Sequence, residues 1–194
     1  MPTSTIRTVK LGGSLLDVSD LSQRFTRLVA TWRNQHLLLI VGGGRAADLV
    51  RRCAATFELD QNTGHWLAVR AMQLNTYIAA AVLRRCRIVS REDECHGVWQ
   101  SGDIALVDPL TWLENEQAQG VTIAHRWTFT SDSISAHIAV RIGADTLTLL
   151  KSALPDDANG ASVVDEDFQS ASANLAAIEL INLRTDPPQY MTFR

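Results

Sequence analysis

The chain has 194 residues, a net charge of −3, 46% apolar residues and 20% charged residues. That length suits one α/β domain with a full core, and the charge balance excludes a general nucleic-acid binder or a polybasic membrane anchor. No apolar run approaches the ~18 residues of a membrane span, and Met1–Lys10 lacks the apolar stretch of a secretion signal, so a cytoplasmic location is expected.

Strands and helices alternate along the chain, the pattern of a mainly parallel sheet covered by helices on both faces. Thr5–Leu11 reads as a strand ending at Gly12-Gly13. Asp20 is placed to cap a helix, with Gln23 completing a capping box, and the helix is expected to run to about Gln35 along a stripe of Leu21, Phe25, Leu28, Val29 and Trp32. Leu37–Val41 is a continuous apolar run, a strand buried on both faces. Gly42-Gly43-Gly44 follows, then a helix from Arg45 to Phe57.

Thr63–Arg85 is helical and apolar on several sides, which points to burial or a subunit interface. Arg87–Ser90 is a short strand, Asp93–Gly102 an irregular excursion, and Ile104–Val107 another strand. A helix to about Gln119 starts at Asp108-Pro109, and Val121–Ala124 has strand character. Ser131 is expected to cap a helix from Asp132 to Ile142 that stops at Gly143. Thr146–Leu150 is a strand and Pro155–Ser162 a polar loop. Asp165–Asn174 contains a short helix, Ala177–Leu183 is the last strand, and Asp186-Pro187-Pro188 lies in a loop. One domain spans 1–194, with a substrate half to about residue 125 and a shortened nucleotide half after it.

Four segments carry chemistry. Lys10-Leu11-Gly12-Gly13-Ser14 and Val41-Gly42-Gly43-Gly44 are glycine turns after strands, where the missing Cβ lets backbone N–H groups approach an anion. The second opens onto a helix N-terminus, which favours phosphate or carboxylate. Thr130-Ser131-Asp132-Ser133 sets hydroxyls and a carboxylate in a first helical turn, and that carboxylate is suited to holding a lysine in place. Leu149-Leu150-Lys151-Ser152 brings a lysine out at a strand's C-terminal end, where open α/β sheets place ligand contacts.

Lys10 and Lys151 are the only lysines among 18 basic residues. In an arginine-rich chain they suggest a site that requires a compact ammonium, and phosphoryl transfer depends on such cations. His65, at a helix start, is a candidate substrate contact. Asp108, His125 and His137 are lesser candidates. Neither glycine turn matches a Walker A loop or a dinucleotide fingerprint. Cys53, Cys86 and Cys95 form no CxxC pair, and no set of residues has zinc spacing, so no protein metal site is expected.

Taken in order, Val9–Leu15, Val41–Gly44, Thr130–Ser133 and Leu149–Ser152 resemble the successive signatures of the amino acid kinase superfamily, which includes acetylglutamate, aspartate, carbamate and uridylate kinases. Gly64–Met72 and Trp127–Ser133 look most like the small branch containing archaeal aminomethylfuran phosphate kinase. The resemblance implies a three-layer α/β sandwich of the carbamate/acetylglutamate kinase type. It also implies ATP with Mg2+, a small-molecule acceptor and a homo-oligomer.

By that resemblance Lys10 and Lys151 neutralise the transferred phosphoryl group and Asp132 organises them. Gly12, Gly13, Ser14, Thr130, Ser131 and Ser152 lie on the nucleotide side, and Gly42, Gly43 and Gly44 on the acceptor side with His65. The acceptor it suggests is a phosphorylated cofactor precursor of methanofuran- or tetrahydromethanopterin-linked one-carbon metabolism. The chain departs from the family pattern after Leu150: a longer loop with an Asp-Gly step is usual there, whereas Lys151 to Gly160 runs almost directly into Val163–Phe168. That shortening motivates the alternative, a non-catalytic binding or assembly protein of the same fold.

Overall fold

The computed structural model describes residues 5–155 and 164–192. Alternate residues of the apolar strands supply both faces of one sheet, as the period of two in a strand requires. In β2 (Gln35–Val41), Leu37, Leu39 and Val41 join one core cluster, and Leu38 and Ile40 join another. The seven strands run β3 (Cys86–Val89), β4 (Ile104–Val107), β2, β1 (Thr5–Leu11), β5 (Thr146–Lys151), β6 (Ala177–Asn182) and β7 (Gln189–Thr192) across the sheet. All pairings are parallel except β6 with β7.

One face is covered by α1 (Leu21–Val29) and the C-terminal end of α3 (Gln61–Val82). The other carries the start of α3, α4 (Glu92–Gln100), α5 (Pro109–Ala118), α6 (Ser131–Arg141) and the short α7 (Phe168–Ala171). The result is the expected α/β arrangement of a mainly parallel sheet between helical layers. Among the described residues no helix is long and apolar enough to cross a membrane.

Several local expectations are corrected. α1 stops at Val29, and Asn34 turns the chain into β2 with a positive φ of 64°. The Asp20 side chain makes no cap; it pairs with Arg24 at 2.7 Å one turn on. The segment read as irregular is α4, whose first turn holds Glu92, Asp93 and Glu94, favoured there by the helix dipole. Val121–Ala124 pairs with no strand, and Val121, Ile123 and Ala124 pack by their side chains into the core beneath α5 and α6. After the Asp186-Pro187 step, β7 adds an antiparallel edge strand where only a loop was expected. The polar loop expected over Pro155–Ser162 lies, apart from Pro155, outside the described residues.

The glycine turns after β1 and β2 pack directly on one another. A Cβ on Gly13 would stand 2.3 Å from the Gly44 nitrogen and 2.4 Å from the Gly42 carbonyl oxygen, and Gly44 itself has φ +46°. Gly97 in α4 has nothing within 4 Å of the same construction. Gly13→Ala should therefore cost at least ~2 kcal/mol through overpacking against backbone. Gly97→Ala should be neutral or stabilise by up to ~1 kcal/mol. Urea unfolding of the two variants checks both, and equal effects would show that the turns are not in contact.

Candidate active site

Strand parity aims the two lysines at the same place. Val9 and Leu11 face the α1 layer, so Lys10 between them faces the α6 layer. In β5, Leu147 and Leu149 face α6 and Leu150 faces α1, so Lys151 also points toward α6. The two strands are hydrogen-bonded neighbours, with Lys10 opposite Leu149 and Leu11 opposite Leu150. The chain leaves β1 for β2 on one side and returns through β5 on the other, which makes the C-terminal ends of β1 and β5 a topological switch point.

Asp132, in the first turn of α6, lies over that point. Its Oδ1 is 2.9 Å from Lys10 Nζ and its Oδ2 is 2.7 Å from Lys151 Nζ. All three side chains are at least 88% buried, with exposures of 6% for Lys10, 12% for Lys151 and 8% for Asp132. Burial works to raise the Asp132 pKa, but the two ammoniums outweigh it and hold the carboxyl below its ordinary value. Burial, reinforced by the Lys10 charge, pushes Lys151 down to about 8, against the opposing pull of Asp132 and Asp165. Two cations converge on one carboxylate in a desolvated crevice, where charges act strongly on one another and on an anion.

The glycine turns form the rim. Gly12 N–H donates to the Leu150 carbonyl at 2.8 Å, and Gly42 N–H donates to Leu11 at 2.8 Å, so both turns continue the sheet edge. A Cβ on Gly42 would lie 3.1 Å from Gly13 N, from Lys10 Cε and from Ser131 Oγ. Ser14 Oγ donates to Ser152 Oγ at 3.1 Å, joining the first turn to the end of β5. Asn75 of α3 donates from Nδ2 to the Gly42 carbonyl at 2.7 Å and fixes the second turn. Asn75 carried no signal in the sequence, because a mid-helix asparagine has the same local appearance whether it buttresses a loop or faces water.

Two helix N-termini meet here and differ. α2 (Gly44–Thr56) has no side-chain cap and no acidic residue in its first turn, so its N–H groups remain available to an anion. The α6 terminus is satisfied in part. Ser131 does not cap it, and Thr130 occupies the cap position without its side chain bonding the helix N–H groups. Asp165 takes that role from across the site, accepting from Thr130 N at 3.1 Å, Thr130 Oγ1 at 2.6 Å, Ser133 N at 3.1 Å and the Ser133 hydroxyl. Asp167 secures the approach to the same helix by accepting from Arg126 at 2.6 and 2.8 Å and from Thr128 Oγ1 at 2.7 Å. Asp165 escaped the sequence reading because local capping rules look for the cap immediately before the helix.

His65 lies in α3, 2% exposed, beside Gly43 and Gly44 along a small cavity. The lesser candidates fall elsewhere in role. Asp108 caps α5 and accepts from Gln73. His137 pairs with Glu116 at 2.7 Å. His125 stacks on His65 with ring centroids 5.2 Å apart. The three cysteines are free thiols, and burial pushes Cys86 and Cys95 up to about 12, far from thiolate chemistry.

An anionic phosphate suits this arrangement, with two ammoniums on one buried carboxylate beside a helix N-terminus that has no side-chain cap. Among the described residues no group of three acidic, histidine or cysteine side chains could cage a metal.

Comparison with solved structures agrees with this topology. UMP kinase from Ureaplasma parvum superposes with a TM-score of 0.68 at 12% identity, over 97% of this chain and 98% of that one. UMP kinase from Bacillus anthracis gives 0.63 at 12% identity, over 93% and 88%. Uridylate kinase from Archaeoglobus fulgidus gives 0.53 at 17% identity, over 77% and 63%. At these identities the likeness establishes the fold. No curated protein matches the chain in sequence. The model of the amino acid kinase family matches residues 6–153, from β1 through the end of β5 and both lysines. The chain belongs to the amino acid kinase family.

Proposed function

We propose that the protein is an ATP-dependent phosphotransferase acting on a small-molecule acceptor. The observation that carries this reading is that both lysines of the chain converge on one buried carboxylate at the C-terminal ends of β1 and β5. ATP would supply the phosphoryl group, with Mg2+ on its phosphates. Lys10 and Lys151 stabilise the charge that spreads over the group in transfer. Asp132 fixes the geometry of both ammoniums and opposes proton loss from Lys151.

Gly12, Gly13 and Ser14, with Ser152, Thr130 and Ser131, border the donor side. Gly42, Gly43 and Gly44 bring the free α2 terminus to the acceptor side, where an anionic acceptor needs no general base. The resemblance of Gly64–Met72 and Trp127–Ser133 to the aminomethylfuran phosphate kinase branch favours a phosphorylated precursor of a one-carbon cofactor as acceptor. A cytoplasmic enzyme fits that chemistry.

Lys10→Met keeps the stem and removes the charge. It should lower transfer, followed as ATP consumption over a panel of phosphorylated acceptors that includes UMP, by at least about 100-fold. Full activity in the variant would remove Lys10 from the reaction. Saturable binding of a phosphorylated ligand with no turnover in the wild type would favour the non-catalytic alternative.

The pH profile tests Lys151. A lysine titrating near 8 is charged below that pH and neutral above it, so the rate should fall as pH rises through about 8. Asp132 favours the protonated Lys151 amine, so in Asp132→Asn the residual activity should be lost at lower pH than in the wild type. A limb that stays in place would show that Asp132 does not govern these lysines.

The homo-oligomer is assigned to α3, which exposes Leu67, Leu74, Tyr77, Ile78 and Val82 along one side. Leu74→Glu combined with Ile78→Glu should convert the assembly to monomers in sedimentation equilibrium. A wild-type monomer would refute this interface.

A further inference from the structure

The lysine crevice occupies the C-terminal edge of the sheet, and a second opening lies under the opposite edge. It is a cavity of about 680 Å³ at the starts of β2 and β4, between the ends of α1, α3 and α4. Leu37 and Ile104, buried at the beginnings of those strands, form its apolar floor. The two sites are well separated. Lys10 pairs with Ile40, four residues along β2 from His36 in the cavity wall, a rise of about 13 Å. The volume falls within the roughly 300–1,000 Å³ of small-molecule sites, so a molecule of two fused rings enters whole.

Its walls are aromatic and held in place. Trp99 and His36 stack with ring centroids 4.8 Å apart and planes 14° from parallel, and the Trp99 indole N–H donates to the Leu37 carbonyl at 2.9 Å. Trp32 lies against Arg7, whose guanidinium carbon is 4.8 Å from the ring centroid. Arg7 is itself fixed by Gln35 at 2.7 Å and Glu179 at 2.6 Å. Both indoles line the cavity and are only half-buried. They present flat surface that is already ordered, which lowers the entropic cost of seating a flat ligand.

The charge in the wall is one-sided. Arg84 and Arg85 line the cavity, and Asp103 is its one acidic neighbour among the described residues. Asp103 is already engaged, by Arg85 at 3.4 Å and by Arg87 at 2.5 Å. Arg84 has no ion pair among the described residues. The chain as a whole carries a net charge of −3, so this local excess of guanidinium runs against its overall balance. A guanidinium recognises carboxylate and phosphate oxygens and also stacks on aromatic faces.

We infer that this cavity is a second ligand site, built for a flat aromatic molecule of about two fused rings with one anionic group, its rings against Trp32 and Trp99 and its anion at Arg84. The inference does not rest on the phosphotransferase reading. It is tested with 2-naphthoate, which has both features, beside 2-naphthylmethanol, which lacks the charge, and cyclohexanecarboxylate, which lacks the flat rings. Each is titrated at pH 7 into the 15N-labelled protein, and the five tryptophan indole N–H signals are followed by NMR.

With 2-naphthoate the Trp32 and Trp99 signals should shift saturably while those of Trp66, Trp112 and Trp127 stay in place. 2-Naphthoate should bind about three- to fivefold more tightly than the neutral alcohol, the modest margin of a solvent-screened ion pair. It should bind about three- to tenfold more tightly than cyclohexanecarboxylate. Arg84 is exposed, so Arg84→Gln leaves the core intact and should bring the naphthoate and the alcohol to equal affinity. Unmoved Trp32 and Trp99 signals, or equal affinity of those two probes in the wild type, overturn the inference. So does a shift of Trp127 alone, which would place the probe beside the second glycine turn. Trp32 and Trp99 signals that move with protein concentration and not with probe would show a second copy of the chain in the groove, and would also overturn it.

Discussion

One carboxylate holds the site together. Asp132 lies in a first helical turn, almost wholly buried, between the two lysine ammoniums of the chain. Removing Asp132 would leave two ammoniums uncompensated in a poorly hydrated place, and breaking such a buried pair typically costs about 3–5 kcal/mol. The packing around it makes that arrangement tolerable. β1 and β5 are paired in register, and α6 is anchored above them by Asp165. The crevice keeps both ammoniums on the side of the sheet where the strands end. A fold that only needed stability would gain more from apolar residues at these positions, so the cluster is best understood as a site.

The surrounding elements divide the anion-binding work. Of the two helix N-termini at the crevice, α6 gives the Thr130 and Ser133 N–H groups to Asp165, and α2 has no side-chain cap. The glycine turns differ as well. Gly13 is pressed into the backbone of the second turn, so the two loops act as one rigid rim. Asn75 holds Gly42 from behind, and the Ser14–Ser152 bond ties β1 to β5. Positioning is the main demand that phosphoryl transfer makes on a protein, and this rim meets it with backbone and short polar side chains rather than mobile loops.

Much of this was legible in the sequence, for reasons that can be named. Apolar strands with glycine at their ends mark a parallel sheet and its functional edge. Two lysines among many arginines mark a site, and strand parity aims both toward one layer of helices. What escaped was non-local or competitive. Asp165 caps a helix that begins 34 residues before it in the chain, so no local rule could find it. α4 starts with three acidic residues and contains a glycine, which looked like a loop until tertiary packing of Cys95 and Val98 held it as a helix. β7 became a strand by pairing with β6, and its own four residues are mostly exposed and carry little apolar signal. His65 stood out only as a polar residue at a helix start; its burial beside the second glycine turn is a property of the folded neighbourhood.

The most direct test is a crystal structure of the protein with magnesium and a non-hydrolysable ATP analogue. The terminal phosphate should lie at the C-terminal ends of β1 and β5, with its oxygens within hydrogen-bond distance of both Lys10 Nζ and Lys151 Nζ while Asp132 still bridges them. A nucleotide seated elsewhere, with the two lysines engaged by Asp132 alone, would contradict the assignment of this cluster as the phosphoryl-transfer site.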